Sequence, residues 1–282
     1  MIYRSLLFTP GTKKERLLKS IDSGADALLW DLEDAVHPDE KVNARNIIAE
    51  ALDELGEKPA TPIFLRVNQF GTEWYRDDAA LAQHKYVTGI MLPKTESAEQ
   101  VAETWQRMGS EGELIVLVET AVGVIRLEDI FGSPYISGVA FGAIDYAVDL
   151  DLTLTEPGLE ALYARSRIVT YAKAAGITGV YDTVFPDVHN DDSLQKRATS
   201  TRALGFNGQM AIHPKQLETI HEVYSPSREQ IEWAVKVLWH ADNEAKGAGV
   251  FMLDGKMVDR PVIEKAKQIY SAAERYGLVV GG

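Results

Sequence analysis

The sequence predicts an α/β fold: a (β/α)₈ barrel of the TIM type with additional C-terminal helices forming a lid or arm. Three observations point there. Eight short runs rich in apolar and β-branched residues recur up to residue 212, and they read as strands buried on both faces. Helix-like segments separate them, and that alternation implies a parallel sheet with right-handed crossovers. The length, 282 residues, accommodates one barrel with an appendage. A doubly wound open sheet is the alternative, but Thr9-Pro10-Gly11-Thr12 is not the glycine-rich phosphate loop such a sheet carries after its first strand.

The first run, 6–9, leads into Pro10-Gly11 and a helix through Lys13-Lys14-Glu15-Arg16-Leu17-Leu18-Lys19. The second, 27–31, ends on Asp31, with Glu33 and Asp34 behind it. The third, 63–67, carries Arg66 and leads to Asn68. The fourth, 89–92, runs into Pro93-Lys94, and the fifth, 114–119, ends on Glu119. The sixth, 138–141, is followed by Gly142 and Asp145. The seventh, 179–182, ends on Asp182, and the eighth, 209–212, stops before His213-Pro214. Helical stretches then cover 214–223, 227–246 and 261–276. Gly247, Gly249 and Gly255 mark a segment suited to bending. The chain therefore reads as a barrel over 1–225 and a helical extension over 226–282.

A net charge of −13 argues against nucleic acid or an anionic membrane as partner. The absence of cysteine removes disulfides, thiolate catalysis and sulfur-ligated metals. The apolar N-terminal stretch is too short for a signal peptide, and no run approaches a membrane span, so a cytoplasmic protein is expected.

Polar residues at strand ends converge on the mouth of a barrel. Here they are Asp31, Glu33, Asp34, Arg66, Asn68, Lys94, Glu119, Asp145, Asp182 and His213. Glu119 and Asp145 stand out because each follows a buried strand, with Gly123 and Gly142 nearby. Buried carboxylates need partners. The ordinary partner is a lysine or arginine, but two hard oxygen donors at a mouth also suit magnesium, which takes one or two carboxylates, waters and an oxygen-rich substrate. The metal reading is preferred. Arg66 either neutralises Asp31 or Glu33, or presents its fork to a carboxylate or enolate oxygen. Lys94 is either a Schiff-base nucleophile or a cation balancing the acidic mouth. The second is favoured, since nearby acids hold its pKa high. Lys13, Lys14, Arg16 and Lys19 form either a solvated helix face or a site for a phosphate-bearing tail. His213 reads as a hydrogen-bonding residue before a helix-starting proline. Asp259, just before Arg260-Pro261, occupies an N-cap position.

Taken in order and spacing, these motifs resemble the citrate lyase beta-subunit-like family of acyl-CoA lyases, within the HpcH/HpaI aldolase superfamily. The resemblance rests on Arg4-Ser5-Leu6-Leu7-Phe8-Thr9-Pro10-Gly11, Asp31-Leu32-Glu33-Asp34, Arg66-Val67-Asn68 and Leu92-Pro93-Lys94. It continues through Val118-Glu119-Thr120, Gly142-Ala143-Ile144-Asp145, Ile212-His213-Pro214 and Asp254-Gly255-Lys256-Met257-Val258-Asp259. It spans nearly the whole chain.

The resemblance implies magnesium bound through Glu119 and Asp145, with Glu119 also meeting the substrate and Arg66 holding a substrate carboxylate. It places Phe8, Lys19, Ile212 and His213 near CoA. It makes Asp259 a catalytic acid on an arm that serves an adjacent subunit of a homotrimer or homohexamer. The implied reaction cleaves or forms a 3-hydroxyacyl-CoA thioester such as malyl-, citramalyl- or citryl-CoA, with a 2-oxo acid and acetyl-CoA as the other side. Two further readings stand beside it. One is a citrate lyase beta subunit acting on a citryl thioester of an acyl carrier protein; the other is a non-catalytic homologue that acts as a binding partner. One position departs from the family pattern: Ile144 stands where members usually carry Glu before the metal-binding aspartate.

Overall fold

In the computed structural model, which describes residues 2–243 and 250–279, eight parallel strands close into a ring. They are β1 (Ser5–Pro10), β2 (Ala27–Asp31), β3 (Ile63–Arg66), β4 (Val87–Leu92), β5 (Glu113–Val118), β6 (Ile136–Phe141), β7 (Gly179–Asp182) and β8 (Gly208–Ala211). Each pairs with the next in sequence, and β1 pairs with β8, Ser5 opposite Gln209. All eight expected strands form, and none shifts by more than two residues at an end.

The crossovers carry α1 (Lys14–Ser20), α2 (Lys41–Glu54), α3 (Tyr75–Leu81), α4 (Ala98–Arg107), α5 (Ala121–Ile125), α6 (Leu127–Phe131), α7 (Ala143–Asp149), α8 (Leu162–Ala174) and α9 (Asp191–Leu204); α10 (Gln216–Tyr224) follows the last strand. Alternate strand residues fill the barrel: Leu6, Leu29, Phe64, Met91, Ile115, Leu117, Tyr181 and Met210 pack together. The intervening Leu28, Trp30, Leu65, Ile90, Val116 and Val139 are also fully buried, as residues of the opposite face. That double burial is why the runs are continuous rather than alternating. Tyr3 joins the barrel-filling cluster, its ring edge-on to Phe64 at 5.7 Å and its hydroxyl donating to Glu113 Oε1 at 2.9 Å.

The chain divides into two compact units, Met1–His221 and Glu222–Gly282. The second holds α11 (Arg228–Asn243), β9 (Val250–Leu253), β10 (Lys256–Asp259) and α12 (Arg260–Arg275). Its own small core joins Ala234, Val237, Leu253, Val258 and Ala266. Between the two helices expected here, in a segment the sequence left unassigned, lies the antiparallel β9–β10 hairpin. Its two-residue turn is Asp254-Gly255, with φ of 50° and 73°. Positive φ at both positions is the type I′ geometry that matches strand twist, and Asp-Gly is among the pairs that adopt it. Gly247 and Gly249, like the end of the helix expected over 227–246, lie outside the described residues. No helix among the described residues is long and apolar enough to cross a membrane.

Candidate active site

Strand alternation aims three charged groups into the barrel mouth. Asp31, Arg66 and Glu119 each lie two residues after a barrel-filling side chain, namely Leu29, Phe64 and Leu117. They open onto a cavity of about 400 Å³, shared with Phe8, Asp34, Ile144, Asp145, Thr183, Val184, Met210 and Ile212.

Arg66 resolves the alternative left open by its sequence. Its Nε donates to Asp31 Oδ1 at 2.7 Å and its Nη2 to Asp31 Oδ2 at 2.6 Å, a two-point grip. Nη1 lies 2.9 Å from Glu33 Oε2 and 3.4 Å from Asp34 Oδ2. The Phe8 ring sits 4.6 Å from the guanidinium carbon. So Arg66 neutralises Asp31 and Glu33, and it still lines the cavity. Glu33 Oε2 is buried without an aligned hydrogen bond and feels the guanidinium mainly as charge.

Lys94 is bound on both ends. Its ammonium donates to Glu33 Oε1 at 2.8 Å and stands 3.5 Å from Asp145 Oδ1. Burial works to lower its pKa, but the hydrogen bond and charge of Glu33 outweigh burial and hold it above the usual lysine value. That is the balancing cation the sequence favoured, not a neutral amine poised for attack. Its backbone amide donates to Glu119 Oε1 at 2.9 Å.

Glu119 is 2% exposed, and among the described residues no cationic side chain forms an ion pair with it. Burial first, then the charges of Asp145 and Glu33, push its pKa up to about 8. Gly142 borders its carboxylate so closely that any Cβ there would collide with Oε2. Asp145 sits in the first turn of α7, partly exposed to the cavity. Thr183 anchors the start of that helix by accepting the Ala143 N–H at 3.1 Å. Among the described residues no group of three or more ligating side chains gathers around one point. Two carboxylates, one buried and in no ion pair among the described residues and one partly exposed to the cavity, are the kind of donor set that magnesium completes with water and substrate oxygens.

Other expected residues fall elsewhere. Asp182 follows the barrel-filling Tyr181 and so faces outward, where Arg165 of α8 grips it at 2.9 Å; it does not reach the mouth. Asn68 is turned to Asp78 of α3, which it meets at 2.6 Å, and Arg45 takes the other oxygen. Ile212 is on the cavity wall, whereas His213 and Lys19 are not. His213 Nδ1 accepts the Lys215 N–H at 3.1 Å. Lys19 is exposed in the last turn of α1. Asp259 belongs to the second unit, where it ends β10 and caps α12 by accepting the Val262 N–H at 3.3 Å. The sequence reading singled out polar strand ends and overlooked the apolar wall of Leu117, Val184 and Met210. For Leu117 and Met210 the signal was present, since both occupy inward positions near strand ends.

The comparisons with known proteins bear on this geometry. A family model described as HpcH/HpaI aldolase/citrate lyase matches residues 4–214. The chain is 34% identical over 283 residues to a citrate lyase subunit beta of Haemophilus influenzae, covering 96% of this chain and 97% of the relative. It is 34% identical over 273 residues to a (3S)-malyl-CoA thioesterase of Cereibacter sphaeroides, covering 96% and 95%. A crystal structure of the protein CitE from Mycobacterium tuberculosis, in complex with magnesium, acetoacetate and coenzyme A, superposes with a TM-score of 0.81 at 32% identity, covering 96% of this chain and 98% of that one. Strand order, mouth and sequence agree: this chain belongs to the HpcH/HpaI aldolase/citrate lyase family.

Proposed function

We propose that this protein is a magnesium-dependent carbon–carbon lyase acting on a 3-hydroxyacyl thioester. One observation carries the reading: Glu119, buried and in no ion pair among the described residues, and Asp145 open onto the same cavity as Arg66. The similarity to a CitE that binds magnesium, acetoacetate and coenzyme A supports it.

Glu119 and Asp145 would hold the metal. The ion would supply Lewis acidity toward substrate oxygens. Arg66, already fixed by Asp31, needs no reorganisation to orient a substrate carboxylate and oppose developing negative charge, an effect worth several kcal/mol at preorganised sites, roughly 3–4 for one donor. Lys94 keeps Glu33 neutralised and, through its amide, keeps Glu119 oriented. Phe8, Val184, Met210 and Ile212 keep water from part of the wall.

The bond between C2 and C3 of the substrate breaks as the C3 hydroxyl becomes a carbonyl and passes its proton to solvent water. The electron pair passes to the thioester as an enolate, whose C2 then takes a proton. Asp259 is the candidate donor. It shares the outward hairpin face with Val250, Met252 and Met257, all exposed, and an apolar surface around an acid suits docking on a neighbouring subunit of a homo-oligomer. The products are a 2-oxo acid and the acetyl thioester. Phe8, Lys19, Ile212 and His213 are the candidate contacts of CoA.

A carrier-bound substrate is the second reading, favoured by near full-length similarity to citrate lyase beta subunits, among them that of Escherichia coli. A panel of malyl, citramalyl and citryl thioesters, each on CoA and on acyl carrier protein, assayed with magnesium for the released 2-oxo acid, decides between them. Turnover of CoA esters supports the free lyase, and turnover of carrier esters alone supports the subunit. Silence toward every thioester overturns both and leaves a binding protein.

A further inference from the structure

A second cavity, of about 320 Å³, is bordered by α8, α9 and the 156–159 segment, and it shares no residue with the mouth. Three cationic side chains face it, Arg165, Lys196 and Arg197, against one carboxylate, Glu156. In a chain of net charge −13 such a cluster runs against the overall field.

The two arginines differ. Arg165 is 3% exposed and serves Asp182 with its Nε at 2.9 Å and its Nη2 at 3.4 Å. Its Nη1 has no hydrogen bond among the described residues and faces Gly158, where a Cβ would stand 3.4 Å away. Arg197 is half-buried and donates only to the Thr155 carbonyl, at 3.3 Å, with the Phe185 ring 5.9 Å from its guanidinium. Among the described residues no carboxylate forms an ion pair with it. Burial, then the neighbouring charge of Arg165, holds its pKa below the usual arginine value, against the weaker pull of the charges of Asp182, Glu160 and Glu156. A guanidinium so placed is costly unless an anion accompanies it. The rest of the wall is partly apolar, with Leu159, Leu162 and Leu204 beside the hydroxyls of Ser193 and Ser200.

We infer that this cavity binds a small organic anion, a carboxylate or phosphate monoester with a short apolar body. Its head would meet Arg165 Nη1 and Arg197, whose planar forks suit two-oxygen anions. Its body would lie on the three leucines. The inference does not depend on which reaction the mouth performs.

Isothermal titration of the full chain with hexanoate and butyl phosphate tests it, with acetate and inorganic phosphate as probes of the head alone. At least one longer probe is expected to bind saturably, tighter than its head-only counterpart, and equally well to Arg66→Gln. The tighter of hexanoate and butyl phosphate identifies the head as carboxylate or phosphate. Arg197→Gln should weaken binding by roughly tenfold or more, since it removes a charge-assisted contact. Leu204→Glu, which brings a like charge into the cavity, should abolish it. Arg165 is left intact in these tests because Asp182 depends on it. Three outcomes overturn the inference: no saturable heat with any probe, affinity unchanged in both variants, or binding lost in Arg66→Gln, which would place the ligand in the mouth.

Discussion

Lys94 holds Glu119 through its backbone and not through its ammonium. The amide donates to Glu119 Oε1 at 2.9 Å from a residue whose φ is 48°, while the ammonium is engaged by Glu33. A left-handed non-glycine residue costs about 1–2 kcal/mol. Such strain persists where surrounding contacts enforce it, and it often marks a functional site.

That geometry separates two chemistries. Lys94→Gly keeps the N–H and relieves the strain, but removes the ammonium. A measurable rate is expected to survive in this variant, and wild-type protein incubated with substrate and borohydride is expected to stay unmodified by mass spectrometry. A reduced adduct on Lys94 would make the protein a Schiff-base aldolase instead.

Gly142 offers a test of the proposed metal site that leaves the carboxylates in place. Its φ of −97° is open to other residues, so an added methyl acts only by collision with Glu119. In the wild type, magnesium at 100 times its Kd should stabilise the fold by about 2.7 kcal/mol and raise the melting temperature. In Gly142→Ala and Glu119→Gln that increment should vanish, although both still unfold cooperatively. A full magnesium shift in Gly142→Ala would remove Glu119 from the ligand set.

Asp259 has an observed role as a cap and a proposed role as an acid, and two substitutions part them. Asn caps helices as well as Asp does, whereas loss of the cap costs about 1 kcal/mol. Asp259→Asn should therefore melt near the wild type, and Asp259→Ala should melt lower. Turnover should fall in both, by roughly 10²–10⁴-fold. Mixing Asp259→Ala with Arg66→Ala protein should restore part of the activity after subunit exchange. Normal turnover in Asp259→Asn would reduce the residue to its cap.

Acid stability should depend on a cluster at the start of the barrel. His221 Nε2 lies 2.7 Å from Ser5 Oγ and 3.5 Å from Asp26 Oδ1, and Arg4 grips both Asp26 oxygens. Burial and then Arg4 lower the His221 pKa below its ordinary value of 6.5. Asp26 is also held low: burial opposes, but Arg4 prevails. In both cases the unfolded chain takes up the proton first as pH falls. The His221 contribution is therefore complete above about pH 6.5 and lost as pH drops toward its folded pKa, and the Asp26 contribution is lost below about pH 4. Between pH 7 and 5 the melting temperature should fall less in His221→Gln than in the wild type. Equal slopes would mean that the histidine's pKa is the same folded and unfolded.

The barrel was legible because both faces of its strands are buried, which makes each strand a short continuous apolar word. The mouth was legible only in part. Position at a strand end does not reveal which way a side chain points, so Asp182 and Asn68 were placed with the mouth although each serves a helix. Partnership across strands was legible only as an alternative: Asp31 and Glu33 were offered as either-or partners of Arg66, and it meets both, Asp31 from 35 residues away. The β9–β10 hairpin went unread despite its Asp254-Gly255 signal, because Val250, Met252 and Met257 are exposed and blur the alternation that marks a half-buried strand.

Ring closure has a consequence for how the chain is made. The first strand pairs with the last across about 200 residues of sequence. At the usual pace of synthesis, roughly 5–20 residues per second, β1 waits on the order of 10–40 seconds for β8 to emerge. Until then one edge of the nascent sheet displays unpaired backbone donors and acceptors, a template for pairing with other chains. Fragments that stop before residue 208 keep that edge permanently, and they should aggregate where the full chain stays dispersed.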